Sequence, residues 1–167
     1  MTATSSGAAK VTLPTDEQIL ITREFDAPRH LVYRALTEPE LVKRWWHAKR
    51  GRVTVAEIDL RIGGAWRYVM VADDGMEVGF HGMYREIVPD ERIVTTEVYE
   101  GLPDGVSEED AATVNTASLS GDDERTTLTL LIEAPSKIAR DAIIDSGMEL
   151  GLQDALDLLE ETADSLR

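Results

Sequence analysis

Three histidines, His30, His47 and His81, are the side chains most able to gain or lose a proton near neutral pH. His47 follows a pair of tryptophans and His81 follows Phe80, so both are candidates for ligand contact or proton transfer, although a structural role is commoner for such residues. His30 lies beside Arg29 and is expected on the surface. Their spacing contains no His-x-His or His-Glu-x-x-His pattern and no accompanying cluster of carboxylates. The sequence therefore predicts no metal site and no cofactor.

Other catalytic patterns are also missing from the sequence. It contains no Gly-x-Ser-x-Gly motif, no phosphate-cradling glycine loop and no cysteine. Glu57 and Asp59 share a strand face, but such pairs usually face solvent beside a basic residue such as Arg67. No catalytic residue is predicted, and enzymatic activity stays open without a motif to support it.

Large aromatic side chains are concentrated in two short stretches. Trp45 and Trp46 form a pair, and Trp66, Tyr68 and Met70 alternate along a segment that follows a double glycine. Alternation places these last three on one strand face, where they either fill a core or line a cavity. The strand taken alone suits a packed core, whereas the strand and the tryptophan pair together favour a lined cavity.

Length and charge restrict the class of protein. The sequence has 167 residues, enough for one domain with a core and an internal pocket. Its 17 basic and 32 acidic residues give a formal net charge of -15, which repels nucleic acid phosphates and anionic lipids, so we expect no nucleic-acid partner. The sequence contains no run of about twenty apolar residues, so no membrane insertion is predicted. Residues 1–15 lack the apolar core of a signal peptide and are predicted to form a flexible tail before a single domain over residues 16–167. A cytoplasmic location is expected, and the absence of cysteine is compatible with it.

The order of elements follows from periodicity and turn residues. A strand over residues 19–25 precedes two short helices that begin near Pro28 and Pro39, because proline is favoured in a first helical turn. Alternating segments separated by turn residues then predict antiparallel strands joined by hairpins. These six strands are expected at residues 53–59, 65–72, 77–88, 91–100, 112–120 and 125–133.

The last part of the sequence predicts one long helix. Apolar residues recur at spacings near three and four from Ile138 to Leu166, and the acidic residues between them are expected on a solvated face. Ser146 and Gly147 mark a point at which this helix can split. Before the strand at 112–120, residues 102–105 predict a turn and residues 108–110 an acidic loop. A solvated connection is expected there, and a lip over a pocket is the alternative.

Eight short segments between residues 21 and 159 resemble a known family in their order. They are Arg23-Glu24-Phe25-Asp26-Ala27-Pro28, Thr37-Glu38-Pro39-Glu40, Trp45-Trp46, Asp59-Leu60-Arg61-Ile62-Gly63-Gly64, Trp66-Arg67-Tyr68-Val69-Met70, Gly82-Met83-Tyr84-Arg85-Glu86-Ile87, Pro89-Asp90-Glu91-Arg92-Ile93-Val94 and Ser146-Gly147-Met148-Glu149-Leu150-Gly151. The sequence thereby resembles the homologues of the activator of heat-shock-protein-90 ATPase, within the START-like, birch-pollen-allergen-like (SRPBCC) superfamily. The resemblance implies an α+β helix-grip fold. In this fold a curved seven-stranded antiparallel sheet wraps around a long C-terminal helix, and two short helices lie between strands 1 and 2.

The same resemblance implies a cavity between the sheet and the C-terminal helix that binds a hydrophobic, lipid-like or amphipathic small molecule. The aromatic residues lead to the same expectation, because such pockets combine apolar walls with a few polar groups, for which Asn115 is a further candidate. Leu152 stands where family members commonly have tryptophan, which predicts a larger or differently shaped cavity. The predicted ligand-binding residues are Trp45, Trp46, His47, Trp66, Tyr68, Met70, Phe80, His81, Tyr84, Met148, Leu152 and Leu156.

Three classes of function follow from this expectation. The first is a binding module for an apolar small molecule whose identity the sequence does not specify. The second is an enzyme similar to polyketide cyclases and aromatases, in which His47, His81, Tyr84 or Arg67 would steer the reaction. The third is a co-chaperone-like module, whose protein partner would need a basic patch to meet the acidic surface. Edge strands of an open sheet can also pair with a second copy, so a homodimer is one option.

Overall fold

Eight antiparallel strands and five helices make up the structure, a computed structural model that describes residues 8–167. The strands are β1 (Lys10–Thr12), β2 (Gln18–Phe25), β3 (Gly51–Ile58), β4 (Ala65–Ala72), β5 (Glu77–Val88), β6 (Arg92–Tyr99), β7 (Thr113–Gly121) and β8 (Thr126–Glu133). The helices are α1 (Arg29–Thr37), α2 (Pro39–Val42), α3 (Glu108–Ala111), α4 (Lys137–Asp145) and α5 (Met148–Asp164). The strands form one curved sheet in the order β1-β2-β8-β7-β6-β5-β4-β3. The predicted α+β helix-grip architecture is confirmed.

The sheet has eight strands rather than the seven predicted, because β1 adds to its edge. Val11 of β1 pairs with Ile21 of β2, and Ala9 before it exchanges two hydrogen bonds with the Gln153 side chain of α5 at 3.0 and 2.9 Å. Residues 10–12 therefore form a strand within the segment for which a flexible tail was predicted. Residues 1–7 of that tail lie outside the described residues.

The two short helices lie between β2 and β3, as the sequence predicted. Pro28 directly precedes the first turn of α1, and Pro39 is the first residue of α2. The first N–H groups of a helix have no partner within the helix, so the lack of an N–H in proline costs no hydrogen bond there. Leu31, Val32 and Ala35 of α1 are buried, which gives this helix one apolar side against the core.

The long helix predicted at the C-terminus is divided into α4 and α5. Gly147 between them has φ +83°, a left-handed conformation that disfavours residues with a Cβ atom and interrupts the helical hydrogen-bond ladder. Ser146 and Gly147 are thus the point of division. None of the helices in residues 8–167 is long and apolar enough to cross a membrane.

The two faces of the sheet have different surroundings. The inner face is the one on which Ile19, Ile21 and Phe25 of β2 join the buried residues of α1 and α5 in one core cluster. Because directly paired residues point to the same side of a sheet, the register carries this face across every strand. One such row runs from Ile19 through β8, β7 and β6 to Tyr84 of β5. We call the opposite side the outer face.

Candidate functional site

Aromatic rings form the β3–β5 end of the inner face. Trp66 and Tyr68 of β4 are buried, and their ring centroids lie 4.8 Å apart. Trp46 reaches this group from the segment after α2, with its ring centroid 5.6 Å from that of Tyr68 and 5.8 Å from that of Phe80, both in edge-on geometry. Tyr84 of β5 is buried in the same cluster. Five of the predicted site residues are therefore brought together here.

The Trp66 indole is held in place by a backbone hydrogen bond. Its Nε1–H donates to the Thr96 carbonyl at 3.1 Å, across β5. Gly82 permits this path, because a Cβ atom at that position would lie 1.8 Å from the Thr96 oxygen and 2.8 Å from Trp66 Nε1. The Thr96 carbonyl is thus used by Trp66, and the Met83 N–H donates to the side-chain hydroxyl of Thr96 at 3.0 Å. A glycine is thus required where the aromatic group meets β6.

Four side chains with polar atoms lie in or next to the aromatic group on the inner face. The Tyr68 and Tyr84 hydroxyls hydrogen-bond to each other, and the Glu97 carboxyl of β6 hydrogen-bonds to Asn115 of β7. Thr113 Oγ1 also donates to Asn115 Oδ1 at 3.1 Å. We call Tyr68, Tyr84, Glu97 and Asn115 the polar cluster. It lies within a face that is otherwise largely apolar.

Burial changes the protonation behaviour of this cluster. Desolvation raises the pKa of Tyr84 to about 12 and that of Tyr68 well above its ordinary value, so both phenols stay neutral and can donate hydrogen bonds. Desolvation also raises the pKa of Glu97, against a smaller lowering by its bond to Asn115. The three titratable side chains of the cluster, Tyr68, Tyr84 and Glu97, are therefore shifted towards their uncharged forms.

Glu97 is deeply desolvated and yet is not fully enclosed by other side chains. It is half-buried, as are Thr95 on the same strand and Asn115 and Ala117 on β7, although all four point to the inner face. A group that is far from bulk water but keeps accessible surface has the properties of a cavity wall. This part of the inner face is thus less tightly covered than its β2 end, where Ile19 and Ile21 are fully buried.

The helical residues predicted for the site belong to the larger core cluster. Leu156 of α5 is buried in it, and Met148 and Leu152 pack against it. Trp45 packs against both this cluster and the aromatic group, and its Nε1–H donates to the Ala35 carbonyl at 2.8 Å. Met70 is buried further along β4. Trp45 therefore connects the sheet and helix parts of the predicted set.

The two predicted histidines lie apart from the polar cluster. His47 is half-buried, and its Nδ1 accepts a hydrogen bond from the Lys49 N–H at 3.0 Å in the turn before β3. His81 is on the outer face, paired in register with Arg67 of β4. Arg67 and His81 thus point away from Tyr84. Within residues 8–167, no group of three or more histidine, aspartate and glutamate side chains is arranged to hold a metal ion.

His81 connects the outer face to the segment between β6 and β7. Its Nδ1 lies 2.9 Å from Glu100 Oε2, and its Nε2 lies 2.8 Å from Glu108 Oε1 on α3. Arg67 makes a two-point contact with Glu100 at 2.9 Å for each bond. The hydrogen bond to Glu100 raises the pKa of His81, with a further raising effect from Glu108, while the bond to Arg67 and then that to His81 lower the pKa of Glu100 to about 2.

A cavity of about 540 Å³ lies between this outer face and α3, and we call it the outer pocket. The sequence predicted a solvated connection at residues 102–110, with a lip over a pocket as the alternative. The segment carries the short helix α3, capped by the Ser107 side chain, which accepts a hydrogen bond from the Asp110 N–H at 3.1 Å. The strand residues that line this pocket are Glu57, Ala65, Trp66, Arg67, His81, Gly82, Met83, Thr96 and Val98.

Glu97 is the main residue of the inner face that was not predicted from the sequence. The alternation of β6 could have indicated it, because a charged residue stands at a position that faces the interior. The residues that share this face are Ile93, Thr95, Glu97 and Tyr99. The outer pocket had no comparable signal, since it depends on how α3 folds back over strands distant in the sequence.

Fold and site together define a START-like helix-grip protein, with a curved sheet, a C-terminal helix and an aromatic inner face. The chain belongs to the family described as Activator of Hsp90 ATPase homolog 1-like protein, whose model matches residues 26–164. The resemblance seen in the sequence is thereby confirmed. No sequence of a curated protein matches the chain.

Solved bacterial structures share this fold at low sequence identity. A Rhodobacter sphaeroides protein is 24% identical with a TM-score of 0.83, and the match covers 95% of this chain and 99% of that one. A Chromobacterium violaceum protein is 28% identical with a TM-score of 0.76, over 89% and 98% of the two chains. The AHSA1-like protein from Aeromonas hydrophila is 18% identical with a TM-score of 0.62, over 88% and 93%.

Proposed function

We propose that this protein binds a small amphipathic molecule between the inner face of the sheet and α5, with the polar end of the ligand at the polar cluster. The observation that carries the proposal is Glu97, a desolvated carboxyl that keeps accessible surface on the inner face. Placing such a group in a core costs free energy that an apolar residue would avoid. A ligand that hydrogen-bonds to Glu97 would offset this cost.

The walls around the polar cluster suit an apolar ligand body. Trp46 and Phe80 are half-buried and lie beside Tyr68, so their rings offer contact surface to a molecule on this face. Leu152 of α5 is half-buried on the helix side. Pockets that bind small molecules typically combine such apolar walls with a few polar groups that fix orientation.

The chemistry of the polar cluster favours a neutral polar end, such as a hydroxyl, phenol or carbonyl. The two phenols are donors, Asn115 is both donor and acceptor, and Glu97 either donates or accepts according to its protonation. Burial already disfavours the ionised form of Glu97, and an anionic ligand group beside it would add charge repulsion. The basic Arg23 on this face is held by Asp157 and Glu160.

The enzyme alternative loses part of its proposed machinery. Of the four residues suggested for it, Arg67 and His81 lie on the outer face and Tyr84 on the inner face, so they do not form one site. No contact in the described residues favours a co-chaperone role over ligand binding. The cytoplasmic location expected from the sequence stays a prediction.

Native mass spectrometry of protein purified gently from its own host tests the proposal, followed by denaturing extraction of any retained molecule. We expect one neutral amphipathic molecule per chain. The neutral dye N-phenyl-1-naphthylamine should compete with it, bind near one-to-one and raise the melting temperature, because a ligand of the folded state stabilises that state.

A pair of tryptophan variants tests whether the ligand binds between the inner face and α5. Leu152→Trp adds a large ring from α5 towards the sheet and should weaken dye binding about tenfold or more. Leu150→Trp is the matched control, since Leu150 is 71% exposed on the same helix and should leave binding unchanged. Absence of a retained molecule together with no dye binding, or equal binding by both variants, would overturn the proposal.

A further inference from the structure

The outer pocket opens on the other side of the strands from the inner face, and the two meet only at Gly82, where the Trp66 side chain also lines the pocket. Its floor is formed by small or apolar strand residues, among them Ala65, Met83 and Val98, and Ala112 after α3 closes one side. Val98 is only 8% exposed although it points to the outer face, so α3 and its flanking residues cover it. The volume of about 540 Å³ is in the range of small-molecule sites.

The charges around the outer pocket are unevenly balanced. Arg67 is held by Glu100, and His81 by Glu100 and Glu108. Glu57 and Glu109 also line the pocket, and within residues 8–167 neither has a basic side chain at salt-bridge distance. The cationic groups on the wall are therefore already in salt bridges, whereas Glu109 and Glu57, the register partner of Arg67, lie in the pocket lining outside those salt bridges.

We propose that the outer pocket is a second binding site, for a small organic cation with an apolar body. The floor of Ala65, Met83 and Val98 takes up the apolar part by removing it from water. Glu57 and Glu109 attract the cationic group, and the net charge of -15 of the whole chain raises the local concentration of cations. An anion would meet the same carboxylates and be repelled.

The site is closed on one side by α3, which the bond between His81 and Glu108 holds against the sheet. A ligand beneath α3 would add contacts to this segment, so binding is expected to order residues 101–112. This effect distinguishes occupation of the outer pocket from binding on the inner face, which lies on the other side of the strands.

Isothermal titration with three eight-carbon compounds tests the proposal. Octyltrimethylammonium is the cation, 1-octanol is the neutral control and octyl sulfate is the anionic control, all below their micelle concentrations or solubility limits. Their affinities are compared in the Leu152→Trp variant, because the proposed inner-face site would itself bind a neutral alcohol in the unsubstituted protein. We expect the cation to bind about threefold or more tightly than 1-octanol and the anion to bind least, since exposed charge pairs contribute at this level. Affinity for the cation should fall when sodium chloride is raised.

Four variants locate the site. Ala65→Phe fills the floor and should abolish cation binding; Met83→Arg at a 50% exposed position places a positive charge in the pocket and should weaken binding without filling it. Glu109→Gln should weaken binding about threefold. Leu152→Trp, which acts on the inner face, should leave cation binding unchanged. Circular dichroism and thermal melts of each variant separate loss of fold from loss of the site.

The results are decisive in either direction. Selective cation binding that is lost in Ala65→Phe and Met83→Arg but kept in Leu152→Trp supports the site. Equal binding of the three compounds overturns the charge selection, and cation binding that is lost only in Leu152→Trp assigns it to the inner face and overturns the outer site. Absence of cation binding at millimolar concentration also overturns it, and leaves the proposed inner-face function to its own test.

Discussion

Arg23 Nη1 of β2 lies 2.8 Å from Asp157 Oδ1 of α5, and the Arg23 side chain is 1% exposed. Its Nη2 lies 3.2 Å from Glu160 Oε1, one turn further along the helix, and its guanidinium carbon lies 5.2 Å from the centre of the Phe25 ring. A cation buried at this depth requires compensating partners. Arg23 therefore fixes the position of α5 relative to the inner face.

Arg23→Met is expected to lower the free energy of unfolding by about 3 kcal/mol. This is the lower part of the range for breaking a buried ion pair, because Asp157 and Glu160 are 45% and 23% exposed and can be rehydrated. Urea unfolding measures the loss. The control is Arg125→Met, which removes an exposed pair with Glu24 at 3.4 Å and should cost less than about 1 kcal/mol. Equal losses in the two variants would contradict the anchoring role.

Two glycine-to-alanine substitutions are expected to have opposite effects. At Gly82 the new Cβ atom would collide with the Thr96 carbonyl and displace the Trp66 indole, at a cost of about 3 kcal/mol. At Gly151 no atom outside the local helix of the described chain lies within 4 Å of an added Cβ, so alanine should stabilise α5 by about 0.5–1 kcal/mol. Thermal or urea unfolding measures both, and a gain in stability for Gly82→Ala would show that the strands adapt at this point.

Glu97→Gln is expected to stabilise the protein at pH 7. Because folding raises the pKa of Glu97 above its ordinary value of 4.5, the folded state retains this proton more strongly than the unfolded state. The cost of ionising Glu97 is absent below 4.5, grows as the pH rises through the raised pKa and is complete above it. The gain from glutamine should therefore be largest at pH 7 and disappear near pH 4. Melting temperatures at both values test this, with the exposed Glu77→Gln as control.

Closure of α3 over the outer face is expected to depend on the protonation of His81. Both ring nitrogens contact carboxylates, Glu100 and Glu108, and only the doubly protonated imidazolium can donate to both. The pKa of His81 is raised above 6.5, so the stabilisation is fully present below 6.5 and is lost as the pH rises through the raised pKa.

Hydrogen exchange of residues 101–112 measures this effect. After correction for the intrinsic rate, protection should be higher at pH 6 than at pH 9. In His81→Gln the difference should largely vanish, since glutamine does not titrate. An unchanged pH difference in that variant would assign the effect to other groups.

The sequence predicted the elements better than it predicted the relations between them. Strands β2 to β8 and the helices after Pro28 and Pro39 follow from alternation and proline preferences, which are local properties of the chain. The edge strand β1 has only three residues, too few for alternation to distinguish it from a tail. The alternation of Trp66, Tyr68 and Met70 placed them on one face correctly, whereas His81 was grouped with them although it points outward.

The amino-acid sequence by itself determined the order of the longer strands and of the helices other than α3, the helix break at Gly147 and the shared face of the β4 aromatics, because backbone preference and periodicity act over a few residues. Only the tertiary structure decided that Glu97 meets Asn115, that Tyr68 meets Tyr84 and that Glu108 reaches His81. These pairs join residues from different elements. Their contacts depend on the register between strands and on how the β6–β7 segment folds back, neither of which is encoded by any single stretch of the chain.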